Sequence, residues 1–111
     1  MAGILRGEVY WADLSPTRGR EQAGERPVLI ISHEPFNTRT EVVISLAITS
    51  KPQRTGYPLS YRLHSGDLPR ESWVKMSQAR TISTERLGAR IGAISADELR
   101  EIVEGLVELV A

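Results

Sequence analysis

The chain has 111 residues, enough for one domain (1–111) with its own core, and no cysteine, which excludes disulfides, thiolate nucleophiles and cysteine-bound zinc. Its 14 Lys and Arg balance 14 Asp and Glu, so it does not grip nucleic acid through its overall field. No apolar run approaches the ~18 residues of a membrane span and the N-terminus lacks a signal-peptide core, so no membrane partner and a cytoplasmic location are expected.

Gly7 to Leu14 holds aromatic and β-branched residues and predicts a strand, which Ser15-Pro16-Thr17-Arg18-Gly19 breaks. A polar loop runs through Gly24. Pro27 then opens Val28-Leu29-Ile30-Ile31-Ser32, a continuous apolar run that suits a central strand buried on both faces. Glu34 to Thr40 predicts a turn or a single helical turn, and Val42 to Ile48 a further strand ending at Thr49-Ser50-Lys51-Pro52. Tyr57 to Leu63 reads as an edge strand, because Pro58 has no amide hydrogen for a central ladder. Ser65 to Pro69 is a loop, Ser72 to Met76 a strand, Thr84 to Leu87 one helical turn, and Ala89 to Ile94 a last strand. Ser95 and Glu98 form a capping box, and Leu99, Ile102, Val103, Leu106, Val107 and Val110 follow at helical spacing.

Several short strands and one terminal amphipathic helix describe a mostly β, α+β chain, a small antiparallel barrel with a helix packed on it. Charge is segregated along it. Residues 97 to 108 carry five acids and one base, so the rest keeps 13 bases against 9 acids, a net of +4 by difference. A basic body permits phosphate binding; it is equally common beside a solvated acidic helix.

Three clusters hold side chains capable of chemistry. In Thr17 to Pro27, charges of both signs sit in a glycine-bearing loop that runs into a core strand, where sites often lie, although composition alone also fits a solvated hairpin. Arg26 differs from its neighbours because it stands at the mouth of that strand, offering a fixed fork of donors matched to phosphate oxygens. Thr49-Ser50-Lys51 ends another core strand with two hydroxyls and an ammonium, which can hold a phosphate. In Lys75 to Arg80, strand alternation puts Lys75, Ser77 and Ala79 on one face and Gln78 and Arg80 on the other, with Gln78 able to bond a base edge. His33 and His64 can in principle serve as acid and base, but no spacing places them together, and no metal-ligand pattern is present.

Taken in order, Arg6-Gly7-Glu8-Val9-Tyr10, Asp13-Leu14-Ser15-Pro16, Glu21-Gln22-Ala23-Gly24-Glu25-Arg26-Pro27-Val28-Leu29-Ile30, Ala47-Ile48-Thr49-Ser50 and Gln78-Ala79-Arg80-Thr81-Ile82 resemble the MazF/PemK family of mRNA interferase toxins. The resemblance runs from about Arg6 into the terminal helix. It implies an SH3-like barrel of the plasmid-toxin type, a homodimer, and a cognate antitoxin that wraps the toxin with a flexible C-terminal segment. It also implies an endoribonuclease that cuts single-stranded mRNA at short sequences with no metal or cofactor, leaving 2′,3′-cyclic phosphate and 5′-hydroxyl ends.

Under this resemblance Arg26 is the phosphate stabiliser, since its high pKa makes it a poor proton donor. Glu21 is the candidate base, and Thr49 hydrogen-bonds the scissile phosphate. Arg18, Arg20, Gln22, Ser50, Lys51, Lys75, Ser77, Gln78 and Arg80 are the candidate RNA contacts. One departure matters: an acid before Gln78, working in one branch with an arginine two residues earlier, is replaced here by Ser77 and Lys75. Two alternatives stay open, a gyrase-poisoning toxin of the same fold, resembling CcdB, and a catalytically inactive RNA- or antitoxin-binding module. The gyrase reading is weakened by the ending Leu109-Val110-Ala111, where those poisons have a Trp-Gly-Ile type terminus.

Overall fold

The structure is a computed structural model, and it describes residues 3–14 and 24–111. Six strands make one antiparallel sheet: β1 (Glu8–Asp13), β2 (Glu25–Ile30), β3 (Val42–Thr49), β4 (Ser60–Arg62), β5 (Trp73–Ser83) and β6 (Leu87–Ala93). Helix α1 (Glu34–Thr40) links β2 to β3, and α2 (Ala96–Val110) closes the described chain. The strand order is β4-β5-β3-β2-β1-β6, so β2 lies in the middle, as the apolar run from Val28 predicts.

That run is covered on both faces. Leu29 joins Val9, Leu46, Ile48, Val74, Met76 and Ile102 in one apolar cluster. Val28 and Ile30, pointing the other way, join Ala12, Leu14, Val43 and Ile82 in a second. Alternation of side chains along a strand makes this division unavoidable once both faces are roofed. Helix α2 roofs the first cluster through Ile102, with Leu99 and Leu106 beside it, at the spacing its sequence shows.

Four local expectations change in detail. The 34–40 segment is a full seven-residue helix with Pro35 in its first turn, where a missing amide hydrogen costs nothing. The 57–63 strand shrinks to Ser60–Arg62, because the amides of Leu59 and Ser60 turn back onto the Gly56 carbonyl; its edge position is as expected. β5 reaches Ser83, well beyond the apolar run that announces it. The capping box is half made. The Ser95 hydroxyl accepts from the Glu98 amide at 3.2 Å, but the Glu98 carboxylate turns away to accept from the His64 amide at 2.9 Å and from the Ser65 hydroxyl.

β5 is also bulged. Its ladder with β3 runs Ala47 opposite Lys75 and then Leu46 opposite Ala79, so that residues 76–78 are inserted into β5 at a single step along β3. The Met76 amide bonds the Leu59 carbonyl, at 3.0 Å. Such an insertion bends a strand and re-aims the residues beyond it.

Candidate active site

β2 enters the sheet with Glu25 and Arg26 exposed and Pro27 half-buried, and pairs with β1 as Trp11 opposite Pro27 and Ala12 opposite Arg26. On its other side β2 pairs with β3, Val28 opposite Ala47, so two residues further on Arg26 and Thr49 leave the sheet on neighbouring strands. Between them opens a cleft of about 680 Å³, lined by Trp11, Arg26 and Pro27, by Ile48 to Lys51 with Gln53, and by Leu68 to Arg70, Ser72 and Lys75. Arg26, Thr49, Ser50, Lys51 and Lys75 therefore converge, from three strands and a strand end.

The chain beyond β3 curls back over Thr49. The Thr49 hydroxyl accepts from the Lys51 amide at 3.1 Å, and Gln53 donates to the Lys51 carbonyl at 2.9 Å. A hydroxyl that accepts an amide keeps its own O–H to give away, so Thr49 is set to donate to an anionic oxygen. Across the cleft, Ser72 donates to the Arg70 carbonyl at 2.8 Å and shapes the loop carrying the Arg70 side chain.

The charge of this cleft is one-sided. Among the described residues Arg26, Lys51, Arg70 and Lys75 line it and no carboxylate does. Among the described residues the ion pairs are Arg62–Glu71, Arg90–Glu8 and Arg100–Asp97, all elsewhere. Four cations with no carboxylate among the described lining residues, a hydroxyl donor and an indole that is 37% exposed fit a chain of phosphates bearing aromatic bases.

Other expected contacts fall elsewhere. Ser77, Gln78 and Arg80 do not line the cleft, since the bulge at 76–78 separates them from Lys75. Their alternation is as expected: Ser77 and Ala79 are exposed, Gln78 and Arg80 half-covered, and the Arg80 carbonyl accepts from Ser45 Oγ at 3.1 Å. Arg18, Arg20, Glu21 and Gln22 lie outside the described residues. His33 precedes α1 and His64 follows β4, both exposed and neither in the cleft.

Sequence reasoning missed Trp11, Gln53 and Arg70. Only Trp11 left a signal, a large aromatic at a strand position that alternates away from buried Ala12. Gln53 and Arg70 sit in loops whose approach to the cleft depends on long-range pairing.

Residues 5–110 match the model of the PemK-like, MazF-like toxins of type II toxin–antitoxin systems. The chain is 37% identical over 106 residues to the endoribonuclease MazF2 of Mycobacterium bovis, covering 93% of each. In three dimensions it is similar to MazF from Deinococcus radiodurans, with a TM-score of 0.84 at 26% identity over 99% of this chain and 98% of that one. It is also similar to a mycobacterial endoribonuclease solved in complex with its cognate antitoxin, with a TM-score of 0.75 at 25% identity over 97% and 93%. These likenesses agree with the SH3-like barrel expected of the fold. The chain belongs to the PemK-like, MazF-like family of toxins of type II toxin–antitoxin systems.

Proposed function

We propose that the chain is the toxin of such a pair, an endoribonuclease that cuts single-stranded mRNA and is restrained by a cognate antitoxin. The observation that carries this reading is the cleft in which Arg26 and Thr49 meet, with Lys51, Arg70 and Lys75 and, among the described residues, no carboxylate in its lining. The 37% identical relative is named an endoribonuclease, and a structural neighbour is held by its antitoxin, which supports both halves of the reading.

The chemistry is that of the side chains gathered there. A ribose 2′-oxygen attacks the adjacent phosphorus, the bond to the 5′-oxygen breaks, and the products are a 2′,3′-cyclic phosphate and a 5′-hydroxyl. The 2′-proton goes to Glu21, and the departing 5′-oxygen takes up a proton. Negative charge grows on the non-bridging oxygens meanwhile, and the Arg26 fork and the Thr49 hydroxyl stabilise it. Lys51, Arg70 and Lys75 hold flanking phosphates. Arg18, Arg20, Gln22, Ser50, Ser77, Gln78 and Arg80 are further contacts for a longer RNA. The active form is a homodimer, a reading supported by β4 and β6, which stand at the two ends of the strand order among the described residues; light scattering at micromolar concentration should give twice the 12.3 kDa chain mass.

The test uses a short RNA in excess chelator. Cleavage should persist there, the ends should be cyclic phosphate and hydroxyl, and Arg26→Ala should slow single-turnover cleavage by about 100-fold or more. A single deoxyribose at the scissile position should block the cut. Cleavage of an all-deoxy oligonucleotide would overturn 2′-oxygen attack.

A further inference from the structure

The carboxylate that should close the start of α2 serves another part of the chain. A Glu three residues after a Ser cap ordinarily reaches back to the cap's own amide. Here one Glu98 oxygen accepts the His64 amide at 2.9 Å and the other accepts the Ser65 hydroxyl. The Ser65 oxygen in turn accepts the Ser95 amide at 2.9 Å, the donor that the carboxylate has left. Glu98 is 8% exposed, and a carboxylate so covered is costly without donors, so the helix start and residues 64 and 65 are held as one unit.

Residues 63 to 72 form a closed loop on this anchor. Its neck is drawn together by the Leu63 amide, which donates to the Ser72 carbonyl at 2.9 Å, and by the Arg62–Glu71 ion pair. Inside it Gly66 and Asp67 both take positive φ, 103° and 58°, which reverses the chain. The reversal rests on β6 at Gly92, where a Cβ would stand 2.7 Å from the Gly66 carbonyl oxygen and 2.8 Å from Asp67 Oδ2. Leu68 packs against the first apolar cluster. From there Leu68, Pro69 and Arg70 make one wall of the cationic cleft. Glu71, next to Arg70 in the chain, is engaged by Arg62 and is not in that lining. Helix α2 and β6 thus grip from behind a loop whose front carries a cation into the cleft.

We infer that Glu98 is a positioning residue for RNA binding: through His64 and Ser65 it presets the 63–72 loop, so that Arg70 meets a phosphate flanking the scissile one. Gly92 is the seat that lets the loop lie there. Neither touches the RNA. The inference rests on the ribonuclease reading of the cleft. An arginine on a loop already held binds without the entropic cost of ordering that loop.

The test is a double-mutant cycle on the Kd for a single-stranded RNA made uncleavable by deoxyribose at the scissile position. Arg70→Ala should raise Kd about tenfold. Glu98→Ala should raise it about fivefold, and the two together no more than about tenfold, since nothing is left to position. Independent sites would multiply to about 50-fold, and that result overturns the proposal. An unchanged Kd in Glu98→Ala overturns it too. In cleavage assays Glu98→Ala should raise KM by the same factor with kcat kept, because Arg26 and Thr49 are untouched. Glu98→Gln, which retains one acceptor oxygen, should recover most of the loss. Gly92→Ala leaves Glu98 intact and should likewise weaken binding without adding to Arg70→Ala. Ser95→Ala removes only the cap, so it should lower stability and leave Kd alone. A rise in Kd there equal to that of Glu98→Ala would assign the effect to helix stability and overturn the positioning role. Should circular dichroism show Glu98→Ala unfolded, Ser65→Ala takes its place in the cycle, since it removes the hydroxyl between Glu98 and the Ser95 amide. Multiplying effects with normal cleavage overturn the positioning role alone; no cleavage by the unaltered protein overturns the ribonuclease reading and this inference with it.

Discussion

In the proposed mechanism Thr49 and Arg26 act on the same phosphate by different means, and their substitutions should then differ in kind. Arg26 brings a full charge from an exposed position at the mouth of β2, so its removal loses charge stabilisation of the transition state. Thr49 brings one hydroxyl donor, pre-aimed because its oxygen already accepts the Lys51 amide at 3.1 Å. Thr49→Val removes that donor and also frees the Lys51 amide, so the turn loosens as well. A hydrogen bond to a charged group contributes about 1.5–3 kcal/mol, and kcat/KM for a short RNA should fall roughly 10- to 150-fold. Thr49→Ser should retain most activity, because the acceptor and the donor both survive.

Two elements owe their placement to buried carboxylates. Glu98, 8% exposed in the first turn of α2, receives the His64 amide and the Ser65 hydroxyl, while Ser65 receives the Ser95 amide at 2.9 Å. The start of the helix is thus tied to the loop that continues into Leu68 to Arg70 at the cleft. Glu98→Ala strands those donors and should lower stability by about 1–3 kcal/mol, read as a fall in the urea midpoint. Ser95→Ala, which loses only the cap, should cost about 1 kcal/mol.

Glu8 anchors β1 in a similar way, accepting from the Leu5 amide at 2.6 Å, from Arg90 Nε at 2.5 Å and from the Tyr10 hydroxyl at 3.1 Å. Burial works to raise its pKa, but these donors together outweigh it and hold the carboxyl below its ordinary value. A carboxyl lowered by folding contributes stability that is present above the unfolded value and is lost as pH falls through the folded one. The urea midpoint of the native protein should therefore exceed that of Glu8→Gln at neutral pH. The two should converge as the solution is acidified below the ordinary carboxyl range.

Taken whole, the molecule is electrically neutral with its charges sorted. The cationic cleft and the acidic α2 occupy different faces, so under the proposed function attraction for RNA is local and no general field gathers it. Each phosphate held by a cation in a single strand adds about −0.7 to the slope of log affinity against log salt. Four cations predict a slope of about −3 for an uncleavable RNA, and Lys51→Ala should flatten it by about 0.7 without changing base preference. A slope near zero would mean that the cleft does not hold the backbone.

Local patterns in the sequence were enough to name the central strand and the terminal helix with its Ser95 cap, because alternation and helical spacing are properties of neighbouring residues, whereas Pro58, from which the edge strand was expected, falls in the turn before Ser60–Arg62. The motif order likewise singled out Arg26 and Thr49 before their strands were known to be neighbours. Which residues share the cleft was a different matter, decided only by pairing across the sheet. Lys75 joins it while Gln78, three residues on, does not, because a bulge opposite Leu46 and Ala47 carries the strand away. Trp11, Gln53 and Arg70 enter it, and Trp73 comes to face the same way as Thr49, through register and loop closure between segments distant in the chain. A sequence read locally shows what each residue can do; which of them act on one ligand is set by contacts whose energy exists only when the whole sheet has formed.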